Sequence, residues 1–412
     1  MFRLISISCL PRAQLHRFIC MLATAAAMAT SAWGQTEFQQ CLSGLRNPAK
    51  AAGVKEDSFA RFTHGLTADM GILDKMNNQP EFRMPIWDYL AALVDNERVA
   101  EGQAQLAKHH DLLDKVAAQY GVDPATVVAV WGVESNFGQT LGKYQLTQAL
   151  GTLSCFGSRQ NYFRGEFYAT LRILQAGHIE PERLVGSWAG AFGHTQFMPT
   201  TFERLAQDFD GDGRRDLMDS VPDALASTAY FLSKAGWNSA QVWGFEVKLP
   251  VGTDVSGEGR KTKRPLNEWA ARGLTQVDGS ALPLNGGPAG LMITAGLMTP
   301  AGAKGPAFLV SRNFDAIYSY NAAESYGLAI AHLSDRLRGA GPFSTPWPTD
   351  DAGLSRAERR EVQNLLSGRG HDIGEIDGVL GDKSRIAIKA EQSRLSHEVN
   401  GRAGQKLLRA LR

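Results

Sequence analysis

The sequence has 412 residues, of which 43% are hydrophobic, 21% charged and 9% aromatic, with 43 Gly and 17 Pro. This is a globular balance that excludes a disordered, collagenous or coiled-coil chain, and the length favours two or three domains over one. A formal net charge of +1 gives no bias toward polyanions and argues against a dedicated nucleic-acid binder.

Residues 1–34 read as a secretory signal peptide. Arg3, Arg12 and Arg17 precede an apolar run from Phe18 to Met28, and Ala32 and Gly34 stand at the spacing of a cleavage site. The run is too short to span a bilayer, and no later stretch is long and apolar enough. Arg17 stands three residues before Cys20, where a lipoprotein signal wants an apolar residue. A soluble, exported, periplasmic protein is therefore expected rather than a lipid-anchored one. Cys9 and Cys20 leave with the leader. Cys41 and Cys155 remain, an even pair that is a disulfide candidate in an exported protein, the alternative being two separate buried thiols.

Along the rest of the chain, residues 94–118 are rich in helix formers, with Gly121 as a stop. Asp123 and Pro124 restart a helix over Ala125–Glu134, which is apolar on most sides and so expected to be buried. Pro222–Ala235 and Glu324–Arg338 are two more helices. Residues 241–312 alternate short apolar runs with Gly, Pro and charged turns, which suits short strands. The Pro/Gly-rich stretch Gly339–Gly353 reads as a linker. Beyond it, residues 354–412 hold 12 basic and 8 acidic residues, a net of +4, against a net of −6 over 35–353. The division expected is a leader (1–34), an acidic body (35–340), a linker (341–353) and a small basic module (354–412).

Four constellations can carry chemistry. In Glu134-Ser135-Asn136-Phe137-Gly138 a Glu ends the buried helix. An apolar surround disfavours a charged carboxylate, so this Glu can stay protonated and serve as a general acid; a solvent-exposed helix end is the bland alternative. In the run from Gly186 to Pro199, Gly186, Gly190 and Gly193 permit close backbone approach. Ser187, His194, Thr195 and Gln196 there lie beside Trp188, Phe192 and Phe197, a mixture of polar groups and aromatic faces that suits a sugar. A tight turn under a core fits equally, and a lone loop His is more often structural. From Asp208 to Asp219, acids fall at positions 1, 3, 5, 9 and 12 of a 12-residue loop with Gly at position 6, the EF-hand spacing except for Asp in place of Glu at position 12. Asp208, Asp210, Asp212, Asp219 and the Arg214 carbonyl are the expected ligands of a structural Ca2+ or Na+. Ser319-Tyr320-Asn321 with Tyr326 could line a cleft or simply pack a helix.

In this order, these motifs resemble the lytic murein transglycosylase B family over residues 36 to 340. The C-terminal segment, with Gln363, Asp377-Gly378 and the AIKAEQ run, resembles the type 1 peptidoglycan-binding domain, whose helices and Gly turns read as a three-helix module. The resemblance implies a mainly α (α+β) fold: a lysozyme-like catalytic domain with short strands in an insertion. It implies cleavage of the β-1,4 bond between N-acetylmuramic acid and N-acetylglucosamine in peptidoglycan, giving a 1,6-anhydro end, with no cofactor for catalysis. Glu134 is then the catalytic residue. Ser187, Gln196, Tyr320, Asn321 and Tyr326 line the glycan cleft, with Tyr89 as a further cleft tyrosine. Tyr230-Phe231 departs from the Asn-Tyr common in the family, and Phe192 from a common Met. Glycan strands are the expected partner, with no nucleic acid. A lysozyme-type hydrolase and a non-catalytic wall-binding protein are the competing readings.

Overall fold

The structure, a computed structural model, describes residues 35–76, 84–284 and 294–412. The leader over 1–34 lies outside the described residues. No helix among the described residues is long and apolar enough to cross a membrane. The chain forms two compact units, and their borders are not those of the sequence division.

The described residues of the first unit are 35–76, 142–191 and 198–203. It holds a helix over 35–51 (α1), α2 (Glu56–Thr63), α3 (Gly71–Met76), α8 (Leu146–Phe156) and α9 (Gln160–Gln175). Antiparallel β1 (Tyr144–Gln145) and β2 (Val185–Gly186) form a minimal ribbon. Phe38, Phe163 and Phe167 are fully buried here, and a disulfide joins Cys41 on α1 to Cys155 on α8. Buried Glu166 accepts from the Thr200 backbone and hydroxyl at 2.9 and 2.8 Å, so its charge is met where it is desolvated.

The second unit carries 84–141, 192–197, 204–284 and 294–412. At its centre α7 (Pro124–Ser135) packs against α14 (Glu324–Leu337), with α11 (Val221–Lys234) and α13 (Arg312–Asn321) beside them. Asp123 caps α7 by accepting from the Thr126 N–H at 2.8 Å, with Pro124 at the first turn, as the sequence pattern implies. Helix α7 buries nine of its twelve residues, so the run without an amphipathic stripe marks a central helix. The expected helix over 94–118 is instead two, α5 (Asn96–Lys108) and α6 (His110–Tyr120). They break at His109, whose ring packs edge-on against Trp131 of α7 at 5.7 Å. Gly121 ends α6 in the left-handed conformation at φ 69°.

The strand-rich region forms one antiparallel five-stranded sheet from β3 (Gly244–Lys248), β4 (Lys263–Pro265), β5 (Thr275–Gln276), β6 (Thr294–Met298) and β7 (Ala307–Val310), in the order β4-β6-β7-β3-β5. Its two faces separate by strict alternation along β7. Phe308 and Val310 join the helical core, whereas Ala307 and Leu309 enter a smaller core with Leu266 and Trp269 of α12 (Leu266–Ala271). A register slip of one residue would exchange these faces, so burial on both sides pins the pairing of Gly244 with Val310.

The C-terminal module has three helices, α15 (Arg356–Gly368), α16 (Asp382–Arg394) and α17 (Gln405–Leu411), around Val362, Leu366, Ile388 and Leu408. Ser355 and Glu358 form a capping box at the start of α15. The linker is held along the way: Phe343 stacks on His332 at 3.7 Å, and the Ser344 and Thr345 N–H groups donate to Glu246.

Candidate active site

Glu134 is the penultimate residue of α7. It is partly buried, and the surrounding desolvation pushes its carboxyl up to about 7. Its place at the C-terminal end of a helix acts in the same direction, because the last free carbonyls disfavour a nearby negative charge. One opposing influence is present. The Tyr326 hydroxyl donates a hydrogen bond to Glu134 Oε1 and stabilises the ionised form. Among the described residues, burial and Tyr326 are the influences that shift Glu134, and neither is a second carboxylate.

The turn after Glu134 is left-handed at three successive residues, Asn136 (φ 51°), Phe137 (φ 57°) and Gly138 (φ 83°). Such backbone is unfavourable for side-chain-bearing residues and needs external support. Ser135 supplies part of it. Its hydroxyl donates to the His194 carbonyl at 2.6 Å and accepts from the Gly138 N–H at 2.9 Å. Gly138 is required, since a Cβ there would lie 2.3 Å from His194 Nδ1. His194 is structural. Its Nδ1 accepts from Trp131 Nε1 at 3.1 Å, and its backbone N–H donates to the Leu217 carbonyl at 2.8 Å. Desolvation holds its pKa below the usual histidine value, so the ring stays neutral, which an accepting Nδ1 requires.

Tyr320 and Tyr326 are stacked with ring centroids 6.3 Å apart. Tyr320 donates to the Thr195 carbonyl at 2.7 Å and packs against Phe231 at 4.6 Å and Phe197 at 5.8 Å. Phe231, the departure from the family pattern, is thus an aromatic neighbour of Tyr320. Burial raises both tyrosine pKa values well above normal, and Glu134 raises them further, so both hydroxyls keep their protons. Tyr89, on α4 (Ile86–Leu93), packs against the same core and lies close enough to Tyr326 to raise its pKa. Glu134, Tyr326, Tyr320 and Tyr89 therefore come together.

The remaining expected cleft residues differ in their surroundings. Gln196 sits at φ 52° and donates to the Gly193 carbonyl at 2.9 Å and the Leu141 carbonyl at 3.3 Å, bracing its own turn. Asn321 is exposed at the end of α13. Ser187 belongs to the first unit, where its hydroxyl accepts from the Ala191 N–H at 3.0 Å. Two of the neighbouring glycines serve protein packing: added Cβ atoms would strike Leu150 at Gly190 and the Leu217 carbonyl at Gly193.

In the acidic loop, oxygens of Asp208, Asp210 and Asp212 lie within 4.8 Å of one another. Gly211 and Gly213 have positive φ, which lets the chain wrap so that both of their N–H groups reach Asp208. This all-oxygen donor set fits a hard cation. Asp219 stands outside that trio, and its N–H donates to Asp216. Fully buried Asp223 ties the start of the loop to its ninth position by accepting from the Phe209 and Asp216 N–H groups at 2.7 and 2.8 Å. Sequence reasoning missed Asp223, which lies four residues past the loop pattern and carries only an ordinary helix-start signal. It also missed Ser135, visible only as a small polar residue next to the acid.

A transglycosylase SLT domain model matches residues 37–335, and a putative peptidoglycan binding domain model matches residues 355–411. The chain is 35% identical over 190 residues to the membrane-bound lytic murein transglycosylase B of Escherichia coli K12; that alignment covers 45% of this chain and about half (51%) of the relative. The structure of SltB3 from Pseudomonas aeruginosa in complex with NAG-anhNAM-pentapeptide matches with a TM-score of 0.72 and 43% identity, over 91% of this chain and 99% of that one. Escherichia coli Slt35 in complex with calcium matches at a TM-score of 0.61 and 28% identity, over 73% of this chain and 92% of that one. With most of its length matched by one family model, the chain belongs to the transglycosylase SLT domain family.

Proposed function

We propose that this family member is a lytic transglycosylase that cleaves the β-1,4 bond between N-acetylmuramic acid and N-acetylglucosamine in peptidoglycan, leaving a 1,6-anhydro-muramyl end. One observation carries the reading: the partly buried Glu134 carboxyl, poised at about 7 with Tyr326 on one oxygen. Protonated Glu134 gives its proton to the glycosidic oxygen as the C1–O bond breaks. The resulting carboxylate takes the proton of the muramyl C6 hydroxyl as that oxygen bonds to C1. The acid is thereby restored, and the substrate supplies its own nucleophile. Most glycosidases need two carboxylates; that, among the described residues, burial and a tyrosine are what shift Glu134 supports a route that needs one. The complex of SltB3 with a NAG-anhNAM-pentapeptide supports the same product class.

Tyr89, Ser187, Gln196, Tyr320, Asn321 and Tyr326 line the glycan site in this reading. Tyr320 has its hydroxyl proton committed to the Thr195 carbonyl, so in this reading that hydroxyl serves glycan as an acceptor. Asp208, Asp210, Asp212, the Arg214 carbonyl and Asp219 would hold a structural Ca2+ or Na+, a reading supported by the calcium complex of Slt35. The module over 354–412 would add affinity for glycan strands. The basic, apolar start of the chain supports export to the periplasm as a soluble protein.

The test is digestion of purified peptidoglycan followed by mass spectrometry of the fragments. Anhydro-muramyl ends are expected. Reducing ends alone would instead identify a hydrolase, and a Glu134→Gln variant as fast as the wild type would remove the assignment of the acid.

A further inference from the structure

The C-terminal module does more in this structure than hang from a linker. Arg356, at the start of α15, points a guanidinium into the body. Its Nη1 donates to Asn136 Oδ1 at 2.7 Å, its Nη2 meets Glu101 at 3.1 Å, and its Nε lies 3.3 Å from Glu97. Its side chain is only 12% exposed. A tether would need no more than the acids of α5. This arginine also reaches a neutral amide two residues past Glu134, inside the left-handed turn over 136–138. The other end of that amide donates to Gln139 at 2.8 Å, so Asn136 is clamped on both sides. A second arginine of the module, Arg402, forks onto Asp88 at 2.6 and 2.8 Å, next to Tyr89. Much of the module's basic excess is thus turned inward on the acidic body.

We propose that Arg356 is a positioning residue for the transglycosylase reaction: by holding Asn136 it holds the strained turn that aims Glu134, making the peptidoglycan-binding module a structural part of the catalytic centre. The inference rests on reading Glu134 as the acid. Planar, two-pronged donation is what allows one side chain to serve Asn136 and Glu101 together, and lysine lacks it. Arg360 supplies the contrast. It pairs with Glu97 at 2.7 Å in the same interface without contacting Asn136.

The test uses full-length variants on a short soluble glycan oligomer, with kcat and KM measured separately and folding followed by thermal melting. Arg356→Ala is expected to lower kcat by about tenfold or more with little change in KM, within the range that a misplacement of about 1 Å can produce. Arg356→Lys is expected to recover part of the loss, and Arg360→Ala to keep wild-type kcat. Asn136→Gly accepts the left-handed backbone while removing the amide, so it is expected to reproduce the fall in kcat with the module's ion pairs intact. Wild-type kcat in Asn136→Gly, or equal kcat in Arg356→Ala and Arg360→Ala, would overturn the positioning role while leaving the transglycosylase reading in place. Absence of anhydro product from the wild type would overturn both.

Discussion

Tyr326 and Glu134 are 192 residues apart in the chain, and the tyrosine hydroxyl donates directly to Oε1 of the carboxyl. Two influences on that carboxyl oppose each other. Burial favours the neutral acid, the hydrogen bond favours the carboxylate, and the balance falls at about 7. An acid that must give and then retake a proton in one cycle needs that balance.

Removing the hydroxyl tests it. Tyr326→Phe removes the hydrogen bond that lowers the Glu134 pKa. The basic limb of the pH–kcat profile is expected to move to higher pH. The rate at neutral pH is expected to fall by about tenfold or more, since in the proposed mechanism the carboxylate left after the first proton transfer loses its donor. A profile that did not move would show that Tyr326 does not set the pKa of the acid.

Glu134 also has a cost in stability. Its folded pKa, about 7, lies above the ordinary value of 4.5. The folded state therefore binds the proton more tightly. The associated stability is fully present below pH 4.5 and is lost as pH rises through 7. Glu134→Gln removes this loss, so the variant is expected to be more stable than wild type above pH 7, by up to about 3 kcal/mol, and little different near pH 4.5. Urea unfolding at pH 4.5 and pH 8.5 measures both points. The same substitution is expected to cost about 100-fold or more in kcat.

The acidic loop makes a separate prediction. A cation held, as proposed, by Asp208, Asp210 and Asp212 would stabilise the folded chain by mass action. Added Ca2+ is expected to raise the melting temperature of the wild type, and chelator to lower it. Asp208→Ala removes a ligand and also the acceptor for the Gly211 and Gly213 N–H groups, so it is expected to lower the melting temperature and abolish the response to Ca2+. A variant that still responded would place the ion elsewhere.

The disulfide between Cys41 and Cys155 closes a segment with a sequence separation of 114. In the chain-entropy account a loop of that size is worth about 4–5 kcal/mol. A Cys41→Ser/Cys155→Ser protein is expected to unfold at a markedly lower urea concentration than the oxidised wild type. Calorimetry of wild type with and without reductant gives the same comparison without mutation.

Local signals carried much of the molecule. Asp123 and Pro124 start α7, Gly121 stops α6, and the two-residue alternation along β7 separates two cores. Each depends on side chains within one turn or one strand of each other, where a single sequence suffices. The spacing of Asp208, Asp210 and Asp212 is of this kind, because a tight turn brings neighbours together wherever it lies. The break at His109 was less legible: Lys108, His109 and His110 carry no strong stop signal, and the ring's packing on Trp131 is a tertiary contact.

The chemical parts are legible in the chain alone: a Glu closing an apolar helix, a loop of spaced acids, aromatic and amide groups, and a basic C-terminal segment. The tertiary structure alone decided how they act on one another. It brought Tyr326 onto Glu134, spent the Tyr320 hydroxyl on Thr195, set buried Asp223 under the acidic loop and turned Arg356 onto Asn136. The reason is physical. A pKa or a strained turn is set by desolvation and by hydrogen bonds between residues distant in the chain, and no local pattern records which of them will meet.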